Sequence, residues 1–323
     1  MTLILALAAV VPALLVMWYV HARDAYPEPP RVVWTTFVLG ALSIAPALVL
    51  EWLAAWLLHG VHGAWAHGLA EAFIGAAAPE DLMKFCVLYF YVLRHHEFNE
   101  PMDGLVYGVA ASMGFALVEN CLYVYQYGMG TAIARALTAI PSHGAHGIIM
   151  GYFLALAHFR PSRRRGFLIS ALLLPMVFHT FYDFPVMTAF RLAPSGDGNL
   201  DAMLWAGLNG MVLLVASLEF GMALALIKRL QTLQGLGTET TQPHQTLDRH
   251  HEAGAAGRRL APWLQIGVGG LLAWLGFLSV VGATQTGVLA ADLALWIALG
   301  VAGAAVFRRG IVKLNLRAEP VSI

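Results

Sequence analysis

The chain has 323 residues, of which 59% are apolar and 12% charged, and its mean hydropathy is +0.68. Soluble domains carry about 25% charged residues, so a water-soluble fold is excluded. The formal net charge is zero, which leaves no basic face for nucleic acid.

Runs of about 20 apolar residues cross about 30 Å of hydrocarbon as helices. Such runs lie at 2–20, 32–58, 66–93, 102–125, 131–158, 166–190, 200–227, 261–281 and 286–307. The expected fold is therefore all-α, a polytopic membrane bundle of about nine spans. The first run has no basic leading segment or small-residue cleavage site, and Arg23 and Asp24 follow it, so it reads as an uncleaved anchor. Residues 231–260, rich in Gln, Thr, Gly, His and Arg, read as a flexible cytoplasmic linker. The chain is thereby divided into a seven-helix core over 1–230, the linker, and a two-helix tail over 261–323. In the tail's spans Asp292 is the ionisable residue, and no chemistry is assigned there.

Lys and Arg set the orientation. With the N-terminus outside and the C-terminus cytoplasmic, sixteen of the nineteen basic residues fall in cytoplasmic segments and Arg191 falls outside. Lys84 and Arg135 lie within spans. Cys86 and Cys121 sit inside apolar runs with no Cys-x-x-Cys spacing and read as packing residues.

An ionisable side chain inside a bilayer costs about 2.5 to 3.5 kcal/mol on insertion scales and usually faces a cavity or a partner. Four spans of this chain carry such groups: Glu80, Asp81 and Lys84; Glu119 and Asn120; His143 and His146; His179 and Asp183. At 1.5 Å per residue they fall at roughly 20 to 26 Å from the cytoplasmic ends, in adjacent layers. Glu80 with Lys84 and His179 with Asp183 are i, i+4 pairs that share a face. Either pair alone could merely satisfy itself; four polar helices at one depth favour a shared site. Gly104, Gly108 and Ser112 on one span, and His143, Gly147 and Gly151 on the next, form small-residue ridges that permit close approach. His146 reads as a packing residue or a partner of a backbone carbonyl, and Arg135 as a snorkelling side chain. Glu51, Glu71 and Glu219 lie nearer span ends, within reach of water. His59, His62 and His67 read as solvated.

Several motifs in order resemble the PrsW family of intramembrane proteases. They are Tyr19, Asp24 and Pro27-Glu28-Pro29; Glu80-Asp81-x-x-Lys84; Glu97-Phe98-Asn99-Glu100-Pro101-x-Asp103-Gly104-x-x-Tyr107-Gly108; Phe115-x-x-x-Glu119-Asn120; Arg135 with Pro141-x-His143 and Gly151-Tyr152; and His179-x-x-Tyr182-Asp183-Phe184. The resemblance covers about residues 15 to 230. It implies a multi-pass protease of the bacterial inner membrane, distantly akin to the CAAX-prenyl endopeptidases and bacteriocin-processing membrane proteases. Glu119 then stands where that wider group has a His, Asp183 where it has an Asn, and Asp81 where the family has a second Glu.

Hydrolysis of a peptide bond needs a base for water, an acid for the leaving amine and a donor for the oxyanion. Glu80 is assigned as the base, Glu119 as its partner, His143 and His179 as groups that orient water or stabilise the oxyanion, and Asp183 as the orienter of His179. Asp81 joins this set, with Lys84, Asn120 and Arg135 in support. No cofactor is expected, with a divalent zinc held by His143, His179 and Glu119 as the alternative. The expected partners are the bilayer and a single-span membrane protein substrate, by analogy an anti-sigma factor. A proton-coupled transporter or a nonenzymatic membrane regulator on the same fold are the competing readings, since buried Glu, Asp and His also build proton relays. Against a transporter, no inverted repeat with paired broken helices is visible.

Overall fold

The computed structural model describes residues 3–192 and 202–239. All the regular structure among them is helical. In chain order the helices are α1 (Leu3–His21), α2 (Pro30–Leu42), α3 (Ile44–Leu57), α4 (Ala64–Ala70), α5 (Ala78–Phe90), α6 (Pro101–Tyr127), α7 (Met129–Leu137), α8 (Ala139–Phe159), α9 (Arg164–Leu192) and α10 (Ala202–Glu239). A π-helical stretch, Glu71–Ala77, joins α4 to α5. The runs at 261–281 and 286–307 lie outside the described residues.

Among the described residues five stretches are long and apolar enough to cross a membrane: Leu3–His21, Pro30–Gly60, Pro101–Tyr127, Pro161–Leu192 and Ala206–Thr232. The core runs at 66–93 and 131–158 are not among them. They are the runs that carry Glu80, Asp81, Lys84, His143 and His146, and both are interrupted.

A proline follows each interruption, although Pro12, Pro175 and Pro185 are accommodated inside continuous helices. A proline inside a helix cannot donate to the carbonyl four residues back, and its ring collides with that carbonyl. Pro46 follows Leu42, where α2 gives way to α3 at Ser43. Pro141 follows Leu137, where α7 gives way to α8 at Thr138 (φ −125°, ψ −67°). Pro79 follows Gly75, and there the chain stays helical but widens into the π-helical stretch. The tenth helix continues through Glu239, nine residues into the segment that composition assigns to the linker.

Packing centres on α6, whose residues from Met102 to Ala116 are all buried. Glycine sets the spacing to its neighbours. A Cβ at Gly104 would strike the Gly151 carbonyl, and one at Gly108 the Gly147 carbonyl. One turn on, the Ser112 hydroxyl donates to the His143 carbonyl oxygen at 2.6 Å. The two small-residue ridges thus meet face to face, with α6 and α8 antiparallel. On another side of α6, Gly40 of α2 lies against the Ala111 carbonyl and Gly114 against that of Phe37. The chain divides into two compact units, Met1–Thr188 and Ala189–Ile323, and the polar cluster described next lies wholly in the first.

Candidate active site

The first turn of α5 carries Glu80 and Asp81, with Lys84 one turn below. All three are buried, and Asp81 is 0% exposed. The Lys84 ammonium donates to Glu80 Oε2 at 3.0 Å and to Asp81 Oδ1 at 3.2 Å, and it lies 3.2 Å from His143 Nδ1. It also sits over the Phe115 ring, 4.4 Å from its centroid. An ammonium has donors only, so the contact with His143 makes Nδ1 the acceptor and assigns the ring proton to Nε2. That nitrogen faces Glu119 Oε2 at 2.8 Å.

Glu119 has a second partner, Arg135 Nη2, at 2.8 Å. Arg135 Nε donates to Asn120 Oδ1 at 3.0 Å, and Asn120 Nδ2 donates to the Ala9 carbonyl at 2.7 Å, which ties α1 to the same network. The guanidinium also stacks over Tyr123, 4.1 Å from the ring centroid. Arg135 therefore turns inward, and the snorkelling expectation is corrected. The break at Thr138 makes α7 a separate short helix that packs on α6.

The fourth wall is α9. His179 Nδ1 lies 3.2 Å from Asp81 Oδ2, while Nε2 lies 3.2 Å from Asp183 Oδ2 and 3.9 Å from Glu80 Oε2. Both ring nitrogens face carboxylates, so Asp81 shares with Asp183 the task of fixing this ring. Tyr182 donates to Thr138 Oγ1 at 2.8 Å and anchors α9 at the break between α7 and α8.

Glu80, Asp81, Glu119, His143, His179 and Asp183 thus form one connected cluster with Lys84, Asn120 and Arg135. His146 belongs to it as well. It is 1% exposed, its ring centroid is 4.9 Å from that of His179, and Ser142 Oγ lies 3.5 Å from its Nε2. The signal was available in sequence, because His146 is three residues from His143 and shares its face.

Two sets of donors among these residues bring ligand atoms within 4.8 Å of one another: Asp81, His146 and His179, and Glu80, Glu119 and His143. The zinc set expected from the sequence is divided between them, His179 in one and His143 with Glu119 in the other. The first set, two imidazoles and a carboxylate, has the donor chemistry of a catalytic zinc site. The second has the Lys84 ammonium against two of its three members.

A separate acidic group gathers at the start of α6. Asp103 Oδ2 accepts the Asn99 and Glu100 amides at 2.7 Å each, in a capping box with Glu100. Tyr107 donates its hydroxyl to Glu28 in the segment before α2. These contacts bind the α1–α2 connection to α6 and account for the Glu28, Asp103 and Tyr107 motif positions without assigning them chemistry.

Residues 28–218 match the family described as PrsW family intramembrane metalloprotease. The protein named Protease PrsW of Geobacillus kaustophilus is 37% identical over 203 residues, 62% of this chain and 88% of the relative. Proteins of the same name from Bacillus subtilis and Clostridioides difficile are 32% and 30% identical, over 56% and 60% of this chain and 82% and 83% of their own lengths. No solved structure matches the chain. With a match over more than half its length and several helices apolar enough to cross a membrane, the chain belongs to the PrsW family of intramembrane metalloproteases.

Proposed function

We propose that the protein is an intramembrane endopeptidase that cuts a membrane-anchored, single-span substrate, an anti-sigma factor being the class suggested by analogy, with Glu80 as general base. The observation that carries this reading is the convergence of four helices on the Lys84 ammonium and on the carboxylates and imidazoles around it. Glu80 Oε2 is turned toward His179 Nε2, so a water between them would meet a base on one side and a positioned imidazole on the other. As oxygen adds to the scissile carbonyl, Glu80 takes the water's proton. It returns that proton to the amine nitrogen as the C–N bond breaks. His143, its proton on Nε2 and held by Glu119, and His179, held between Asp81 and Asp183, supply the directed dipoles that such a site needs.

A second reading assigns a metal. The donor set of Asp81, His146 and His179 fits zinc by residue type and spacing, and the family is described as metalloproteases. A zinc ion held there would supply Lewis acidity toward water, while Glu80 would keep its role as base. In either reading the site is placed in a seven-span core with the N-terminus outside, in a bacterial inner membrane.

The test is cleavage of a single-span substrate by purified protein in detergent. Activity should be lost in Glu80→Gln, and retained cleavage would overturn the assignment. Treatment with a chelator separates the readings: loss restored by zinc supports the metal, and full activity after metal removal supports the carboxylate mechanism.

A further inference from the structure

Phe115 stands among the polar residues of the site although its side chain has no polar atom. Its ring is 1% exposed and packs against Ile44 and Ala47 of α3, with Met83 and Val118 alongside. Any apolar side chain of that size would fill this space. What an aromatic ring adds is a face of negative potential, and the Lys84 ammonium lies over it, 4.4 Å from the centroid. Lys84 is itself 1% exposed, so the attraction acts where water is largely excluded. The imidazole of His143 is also beside the ring, with centroids 6.4 Å apart and planes tilted by 43°. Side chains of α3, α5, α6 and α8 thus meet at one ring.

The ammonium has three protons and three partners: Glu80 Oε2, Asp81 Oδ1 and His143 Nδ1. Two of these are carboxylates and the third is an imidazole nitrogen, so charge alone draws the ammonium toward the first two. The ring face adds an attraction beside His143 and keeps the ammonium within reach of all three. One turn further along the same face of α6, Glu119 takes up the opposite nitrogen of His143 at 2.8 Å. We propose that Phe115 is a positioning residue whose ring face holds the Lys84 ammonium where it joins Glu80 and Asp81 to His143. This proposal rests on the protease reading for its catalytic meaning. A ring without that negative face would let the ammonium settle on the carboxylates. His143 Nδ1 would then lose its donor, and the ring proton would no longer be confined to Nε2.

Two measurements on the full-length protein test it. The first replaces Phe115 by mono-, di- and trifluorophenylalanine and follows cleavage of a single-span substrate; fluorine keeps the ring's shape closely while withdrawing charge from its face step by step. Turnover should fall in that order, by about tenfold at the third step, with KM unchanged because the buried ring offers no contact to substrate. Equal kcat across the series would overturn the proposal even if Phe115→Leu is inactive, since lost packing alone would explain that variant. The second is the nitrogen NMR of protein carrying 15N-histidine, with the His143 signals identified by their absence in His143→Gln. Wild type should hold the ring proton on Nε2, and trifluorophenylalanine at position 115 should move both nitrogen shifts toward the average of the two tautomers; unmoved shifts would overturn the proposal. This readout needs no substrate. A wild-type protein that cleaves nothing would remove the protease reading, and the shifts would still decide whether Phe115 places Lys84.

Discussion

Asp81 stands where the resemblance implies a second glutamate, and its surroundings suit the shorter side chain. It is fully buried, with one oxygen on Lys84 of its own helix and the other on His179 of the facing one. A longer arm would push the second oxygen past the imidazole by about one methylene, a misplacement of the kind that can cost about a hundredfold in rate. Asp81→Asn should therefore shift the pH–rate profile through the lost charge on His179, and Asp81→Glu should lower kcat while keeping the profile; an unchanged profile in Asp81→Asn would remove the tuning role. Arg135→Ala leaves Glu119 with one partner fewer in a buried setting, where breaking an ion pair costs about 3 to 5 kcal/mol. Its unfolding in detergent should move to markedly lower temperature, more than for Arg135→Lys. His146→Ala separates the two mechanisms at one atom: bound zinc, measured by elemental analysis, should disappear if Asp81, His146 and His179 hold it. The pairs four residues apart were legible in sequence because helical periodicity alone fixes them. The place of His146 could have been read the same way from its spacing to His143, but that of Arg135 could not, since its inward turn depends on where the helix breaks.

Those breaks belong to the scale of the element. Apolar windows pass over Pro46, Pro79 and Pro141, so hydropathy counts one run where the backbone has two pieces. The prolines alone would not have located them, since Pro12, Pro175 and Pro185 stand inside unbroken helices. The facing of α6 and α8, by contrast, could be read from Gly104, Gly108, Gly147 and Gly151, because only the smallest residues let backbones touch. Gly108→Val and Gly147→Val should each prevent that approach, giving little folded protein by gel filtration in detergent. Ser112→Ala removes one hydrogen bond, worth about 0.5 to 1.5 kcal/mol, and should fold. If Gly108→Val yields stable, active protein, the close α6–α8 contact is wrong.

For the whole molecule, composition settled the membrane environment, and basic-residue bias supplies an orientation that reporter fusions can check. Fusions after Lys228 should report cytoplasm and those after Arg191 the outside; a periplasmic signal at Lys228 would reverse the arrangement. The ionisable residues that build the site all precede Thr188. A chain cut after Glu239, at the end of α10, should therefore still cleave substrate if it inserts. Cutting at 235 instead would remove the last turn of that helix. What hydropathy could not supply was the tertiary registration of the site, because the two runs that carry most of its polar residues are the least apolar ones.

The π-helical stretch between His67 and Glu80 makes chain length a hidden variable. A π-turn holds an extra residue, and each residue of α-helix turns the following side chains by about 100°. Deleting Gly75 alone would let α-helical spacing resume and keep Glu80, Asp81 and Lys84 facing His143 and His179, because the wide turn already holds the extra residue; a second deletion, with no wide turn left to absorb it, would swing them away. A relative could therefore align at its motifs with one residue fewer here and still aim its acidic pair into the site, but not with two fewer. The stretch should accept many substitutions and one deletion but not two, so a scan of single and double deletions through 71–77 would keep turnover in the first set and lose it in the second.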